Sequence, residues 1–151
     1  MTKGTLAGLA AIAALAVGIG AGGAGASGRA GSLAQVKAVL TSDQVVPKPA
    51  TTNKGETGTF TATWDGKILR YSLVWKGLTG QATSAQIHVG IRKHAGPIAQ
   101  PLCVPCLAPE SGVVPLTAAQ AAHLKAGHLY VSIQSMADPD GELRGQLVLG
   151  K

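Results

Sequence analysis

Few residues of this chain could carry chemistry. Four histidines stand at His88, His94, His123 and His128, two cysteines at Cys103 and Cys106, and three carboxylates cluster in "ADPDGEL" as Asp138, Asp140 and Glu142. Two thiolates and two imidazoles would suffice for zinc, with Cys103, Cys106, His88 and His94 as the set. His88, His94 and His128 are the weak imidazole candidates for any metal. The "CVPC" spacing is shared by redox-active pairs and by short local disulfides. Redox use wants the first cysteine at a helix N-terminus, and the "LAPESG" that follows is no helix. In an exported chain with two cysteines, a Cys103–Cys106 disulfide is therefore preferred over metal or redox use. Its closed ring is short, so it would pin a loop rather than the whole fold.

The three carboxylates alternate as calcium ligands sometimes do, but a calcium loop needs more oxygen donors. A turn fits better: Asp138-Pro139 starts it, Asp140-Gly141 supplies positive φ, and Glu142 opens a strand. Glu142 and Arg144 share a strand face and read as structural charges that could pair with neighbouring strands. His123 and His128 are expected at the surface. No Ser–His–Asp set and no Gly-rich strand-to-helix loop is legible. No catalytic residue is assigned, no cofactor is implied, and the protein reads as non-enzymatic.

The start of the chain bears on compartment. "MTKGTLAGLAAIAALAVGIGAGGAGAS" has an early cation, a short apolar run and an Ala24-Gly25-Ala26 terminus. That describes a signal peptide over residues 1–26, cleaved after Ala26, because its strongly apolar part is shorter than the roughly 20 residues of a membrane span. The expected location is secreted, or the cell envelope or periplasm, with no membrane span once the leader is removed. Thirteen Lys and Arg against seven Asp and Glu give a net charge of +6. This favours an unknown protein or an anionic surface polymer as partner. The cations are scattered, with Arg92-Lys93 adjacent, and aromatics make up 3%, which argues against nucleic acid.

These groups must be positioned by strands. After a flexible lead-in at 27–32, "LAQVKAVLT" reads as a strand with Leu33, Val36 and Val39 on one face. "TGTFTATW" and "KILRYSLVW" alternate around an Asp65-Gly66 hairpin signal, with Phe60, Ala62, Trp64 and Leu69, Tyr71, Leu73, Trp75 inward. "AQIHVGI" places Ile87 and Val89 inward, Gln86 and His88 outward. A Pro- and Cys-rich loop follows, then a short strand "GVVPLT". The helix expected near 117–126 has Thr117 as N-cap, Lys125 near its negative end and Gly127 as its stop. "HLYVSIQS" alternates Leu129, Val131 and Ile133 against Tyr130, Ser132 and Gln134, and "ELRGQLVL" closes the chain as one strand. The fold class is all-β, a Greek-key sandwich or barrel with one short helix, over residues 33–149.

Several of these segments, in this order, resemble the CHRD domain, the module named for chordin and also common in exported bacterial proteins. They are Gly77-Leu78-Thr79, Ala85-Gln86-Ile87-His88, Gly96-Pro97, Leu116-Thr117, Gly127, Tyr130 to Ser135, and Asp138-Pro139-Asp140-Gly141-Glu142-Leu143-Arg144-Gly145-Gln146. "LTSDQVVP" resembles the family's opening. The resemblance implies an immunoglobulin-like β fold and no specific activity. Two departures stand out: Gln86 replaces the first residue of a usual His-x-His, and Gln134 replaces a usual histidine in "VSIQS". Amide side chains ligate transition metals poorly, so a metalloprotein distantly like superoxide dismutase is the second choice. In its place a hydrogen-bonded polar stripe of Gln86, His88, Ser132 and Gln134 is expected.

Overall fold

The computed structural model describes residues 31–151. The leader expected over 1–26 and most of the lead-in lie outside the described residues. The elements run β1 (Ala34–Leu40), β2 (Thr57–Trp64), β3 (Ile68–Lys76), β4 (Ala82–Val89), β5 (Ile98–Cys103), β6 (Glu110–Pro115), α1 (Ala118–Lys125), β7 (Leu129–Ser135), β8 (Leu143–Gln146) and β9 (Val148–Leu149). They form two antiparallel sheets, ordered β6-β3-β2-β1-β9 and β5-β4-β7-β8. The architecture is an all-β sandwich rather than a closed barrel.

Alternation explains the core. Phe60, Leu69, Leu73 and Leu40 from the first sheet meet Ala85, Ile87, Val131, Ile133 and Leu143 from the second, all fully buried. Each large side chain of this kind contributes about 1.5–3 kcal/mol by leaving water. In β1 the inward residues are Val36, Ala38 and Leu40, whereas Val39 is 62% exposed. The expected Leu33, Val36, Val39 face is thus corrected, because a strand repeats every two residues and not every three. The Thr117–Gln120 capping box starts α1 as its residue types suggest.

Three further details differ from expectation. The β2–β3 turn is centred on Gly66-Lys67, one residue later than expected, because Asp65 still pairs with Ile68 through its backbone. The Asp65 carboxylate accepts the N–H groups of Ile68 (2.7 Å) and Lys67 (2.9 Å). These two bonds, with help from Arg70, hold its pKa down at about 2. Part of the expected Pro/Cys loop is β5, an edge strand, which is where a proline such as Pro101 is tolerated. The last expected strand is two: β8 pairs with β7, and after Leu147 the chain crosses to pair β9 with β1.

The polar face of the second sheet is covered. Tyr130, Ser132, Gln134, Arg144 and Gln146 are only 3–8% exposed. The β1–β2 connection lies against this side: Val45 is buried, and Ala50 N and Thr51 Oγ1 donate to the Asp138 carboxylate at 2.7 and 2.8 Å. The β4–β5 loop is tied down at Tyr130. A segment that reads in sequence as a mere linker thus supplies part of a third layer.

Candidate functional site

Glu142, Arg144 and Gln146 project from one face of the β8 segment, and each is taken up by a different loop. Just before β8, the fully buried Glu142 accepts hydrogen bonds through Oε1 from the backbone N–H and the hydroxyl of Thr79. Thr51 Oγ1 lies 3.5 Å from Thr79 Oγ1 and donates to Asp138. The "GLT" turn, the β1–β2 connection and the "DPDGE" turn are therefore fastened together by two carboxylates and two threonines. Asp138 and Glu142 act as acceptors in a turn, consistent with the turn assignment. Asp140 is exposed.

Two residues on, Arg144 enters a stack. Its guanidinium carbon sits 3.6 Å from the Tyr130 ring centroid, and Tyr130 in turn stacks on His88 at 4.9 Å. Gly96 closes the other side of this stack. Its N–H donates to Tyr130 Oη at 3.0 Å, and its carbonyl lies 2.9 Å from His88 Nδ1. A Cβ at Gly96 would fall 1.7 Å from the Val89 carbonyl oxygen, so no other residue fits. Gly145 is required in the same way, since a Cβ there would approach the Val39 carbonyl oxygen to 2.5 Å.

The electrostatics of the stack are lopsided. Arg144 donates from Nη2 to the Ile91 carbonyl at 2.7 Å, and among the described residues it has no carboxylate partner. The ion pairs that Glu142 and Arg144 could make with neighbouring strands are not found among the described residues. Burial lowers the Arg144 pKa from its usual value, and nearby Arg92 lowers it further against the opposing effect of Tyr130. Burial also lowers the His88 pKa, opposed by the Gly96 bond and reinforced by Arg144. Below Arg92 and Lys93, a cavity of about 140 Å³ opens beside Arg144 and Gln146, with Asp43 and Gln44 on its far wall.

The expected polar stripe forms only in part. Ser84 Oγ donates to Gln134 Oε1 at 2.9 Å, and Gln134 Nε2 donates to Ser132 Oγ at 3.1 Å. His88 belongs instead to the Tyr130 stack, and Gln86 stands opposite Ser132 without joining the chain of bonds. Sequence reasoning missed Thr51 and Gln44, and it gave Thr79 and Gln146 only as motif positions without a role. The available signal was Arg144 and Gln146 recurring with period two beside Tyr130.

The metal candidates are dispersed. His94 and His128 are exposed, His88 is half-buried, and no three His, Cys, Asp or Glu side chains come together as a metal set among the described residues. Cys103 and Cys106 are joined by a disulfide. It closes the β5–β6 loop, with Cys106 reaching into the core and Tyr71 Oη donating to the Leu102 carbonyl at 2.8 Å. His123, expected at the surface, is partly covered and sits 6.2 Å from the His128 ring.

Neither the curated proteins nor the solved structures include a match to the chain. The family model described as the CHRD domain matches residues 36–147, from the core of β1 to the crossover after β8. That span holds the residues just placed, from Thr79 and His88 to Glu142 and Arg144, and the chain belongs to the CHRD domain family.

Proposed function

We propose that this protein is an exported, non-enzymatic binding module whose partner carries negative charge. The observation that carries this reading is Arg144. It is a buried guanidinium with no salt-bridged carboxylate among the described residues, facing a cavity lined by two further cations and one carboxylate, Asp43. Removing a cation from water without pairing it costs several kcal/mol (~), and an incoming anion offsets that cost. The other motif side chains hold loops in place, Glu142 at Thr79, His88 and Tyr130 at Gly96, and Gln146 at Gly90 and Gly127, which favours a scaffold over a catalyst. The disulfide suits an oxidising compartment, in keeping with the leader read from residues 1–26. No helix among the described residues is long and apolar enough to cross a membrane.

Two measurements test the reading. Mass spectrometry of the protein recovered from outside the cytoplasm should find an N-terminus at Ser27 and no free thiol. Co-sedimentation with isolated anionic cell-surface polymers should be retained in low salt and lost in high salt. A cytoplasmic protein with its leader intact, or one that ignores every such polymer, overturns it.

A further inference from the structure

The cavity beside Arg144 is built from three separate stretches of chain. Asp43 and Gln44 come from the turn after β1, Arg92 and Lys93 from the β4–β5 loop, and Arg144 and Gln146 from β8. Arg144 is 3% exposed and forms the floor, while Arg92 and Lys93 are exposed at the rim. Its Nη2 is committed to Ile91, but Nε and Nη1 have no protein partner among the described residues. Stacking on Tyr130 and the Ile91 bond fix the plane of the guanidinium, so its remaining donors are pre-oriented.

The opposite wall offers acceptors. Gln44 Nε2 is spent on the Val39 carbonyl and Thr41 Oγ1, at 3.1 and 3.0 Å, which leaves Oε1 free to accept. Beside Arg144, Gln146 Nε2 is spent on the Gly90 and Gly127 carbonyls, both at 2.8 Å, and its Oε1 is sealed from the cavity with no partner among the described residues. Asp43 adds a carboxylate. A ligand that satisfies both walls needs an anionic acceptor for Arg144 and hydroxyl donors for Gln44 and Asp43. Asp43 also repels a second negative charge, which favours a monoanionic carboxylate over a phosphate dianion.

Shape points to a chain rather than a single small molecule. Two further hollows adjoin the central one, and both share Arg92 and Gln146 with it. One, of about 350 Å³, runs along β1 and β2 past Lys37, Thr59 and Thr61. The other, of about 340 Å³, runs past Lys125 at the end of α1. Each hollow therefore adds a lysine, Lys37 or Lys125, and the one along β1 and β2 adds the hydroxyls of Thr59 and Thr61. Lys93 has a left-handed backbone with φ of 63°, a conformation unfavourable for a residue with a Cβ. The loop that presents the rim cations is thus held in a costly shape.

We propose that this groove binds an acidic polysaccharide, seating the carboxylate of a uronic-acid unit on Arg144 between Arg92 and Lys93. The inference rests on the binding-module reading and names its ligand class. Calorimetric titration of the purified protein with oligogalacturonate tests it, with the fully methyl-esterified oligomer, inorganic phosphate and poly(glycerol phosphate) as controls. Oligogalacturonate should bind, the methyl ester should not, and both phosphate probes should bind more weakly. Arg144→Gln should abolish binding. The double variant Arg92→Ala/Lys93→Ala alters only exposed residues outside the core, and it should weaken binding by about tenfold while unfolding like the wild type. Equal affinity for acid and ester, a preference for poly(glycerol phosphate), or an unchanged affinity in the double variant overturns the uronate site. Those outcomes leave the binding module standing, whereas a failure to bind any anionic polymer removes both.

Discussion

Glu142 and Arg144 leave the same face of the β8 segment, two residues apart, and both are buried, yet the molecule treats them in opposite ways. Glu142 is held by a backbone N–H and a hydroxyl, in a clamp that joins three loops. Arg144 is held by an aromatic face and one carbonyl, with donors left over toward a cavity. At the closed, carboxylate end the second oxygen of Glu142, Oε2, is sealed in the interior with no partner among the described residues, whereas at the open, guanidinium end the spare donors of Arg144 face a cavity. Burial of charge alone therefore does not mark a functional site. What separates the two ends is whether the charged group's unspent hydrogen-bonding capacity faces a cavity or is sealed inside the protein.

The largest expected effect tests the closed end. Glu142→Ala strands the N–H of Thr79 and unfastens the "GLT" turn. It should lower the unfolding free energy by about 2–3 kcal/mol in denaturant titrations. Glu142→Gln keeps an acceptor and should cost less than half of that. At the open end, Arg144→Met replaces a cation that is costly to bury with an apolar chain of similar length. It should change stability by no more than about 1 kcal/mol while removing anion binding. Equal destabilisation by the two truncations would erase the distinction between the ends.

His88 gives a smaller effect with a definite sign. Its folded pKa lies below the ordinary value of about 6.5, since burial disfavours the imidazolium. Its contribution is fully present above that value. It is lost as pH falls below about 6.5, where the unfolded chain takes up the proton more readily than the folded one. Melting temperatures measured from pH 7.5 down to pH 5 should therefore decline, and His88→Asn, which keeps a donor near Gly96, should flatten the decline. The smallest effect separates fold from function within the rim. Lys93→Gly relieves the positive φ and should raise stability by up to about 1 kcal/mol, yet weaken polyuronate binding. A variant both less stable and equally good at binding would show that this loop is not strained for the sake of the site.

Much of the scaffold was legible residue by residue. Phe60, Ala62 and Trp64 alternate with threonines, Leu69, Tyr71 and Leu73 follow suit, and Thr117 caps a helix, because these patterns depend on local geometry alone. β1 was harder, since Val36-Lys37-Ala38-Val39-Leu40 offers apolar residues to both faces, and only pairing with β2 decides which are inside. β5 was hidden by Pro101, and the split of the last strand by an unbroken "LRGQLVL". The candidate site was half visible. Arg144, Tyr130 and His88 stood out as residues, but their meeting with Gly96 and Arg92 depends on loops whose paths no periodicity encodes.

By itself, the sequence determined the β architecture, the helix, the Cys103–Cys106 pairing and the family, because alternation, capping, spacing and motif order are properties of neighbours along the chain. The tertiary structure alone decided that the polar face of the second sheet is covered, that Glu142 clamps the Thr79 turn and that Arg144 faces a cavity. Those outcomes turn on groups far apart in sequence, such as Thr79 with Glu142 and Ile91 with Arg144. A buried charge is defined by what surrounds it, and only the folded chain supplies the surroundings.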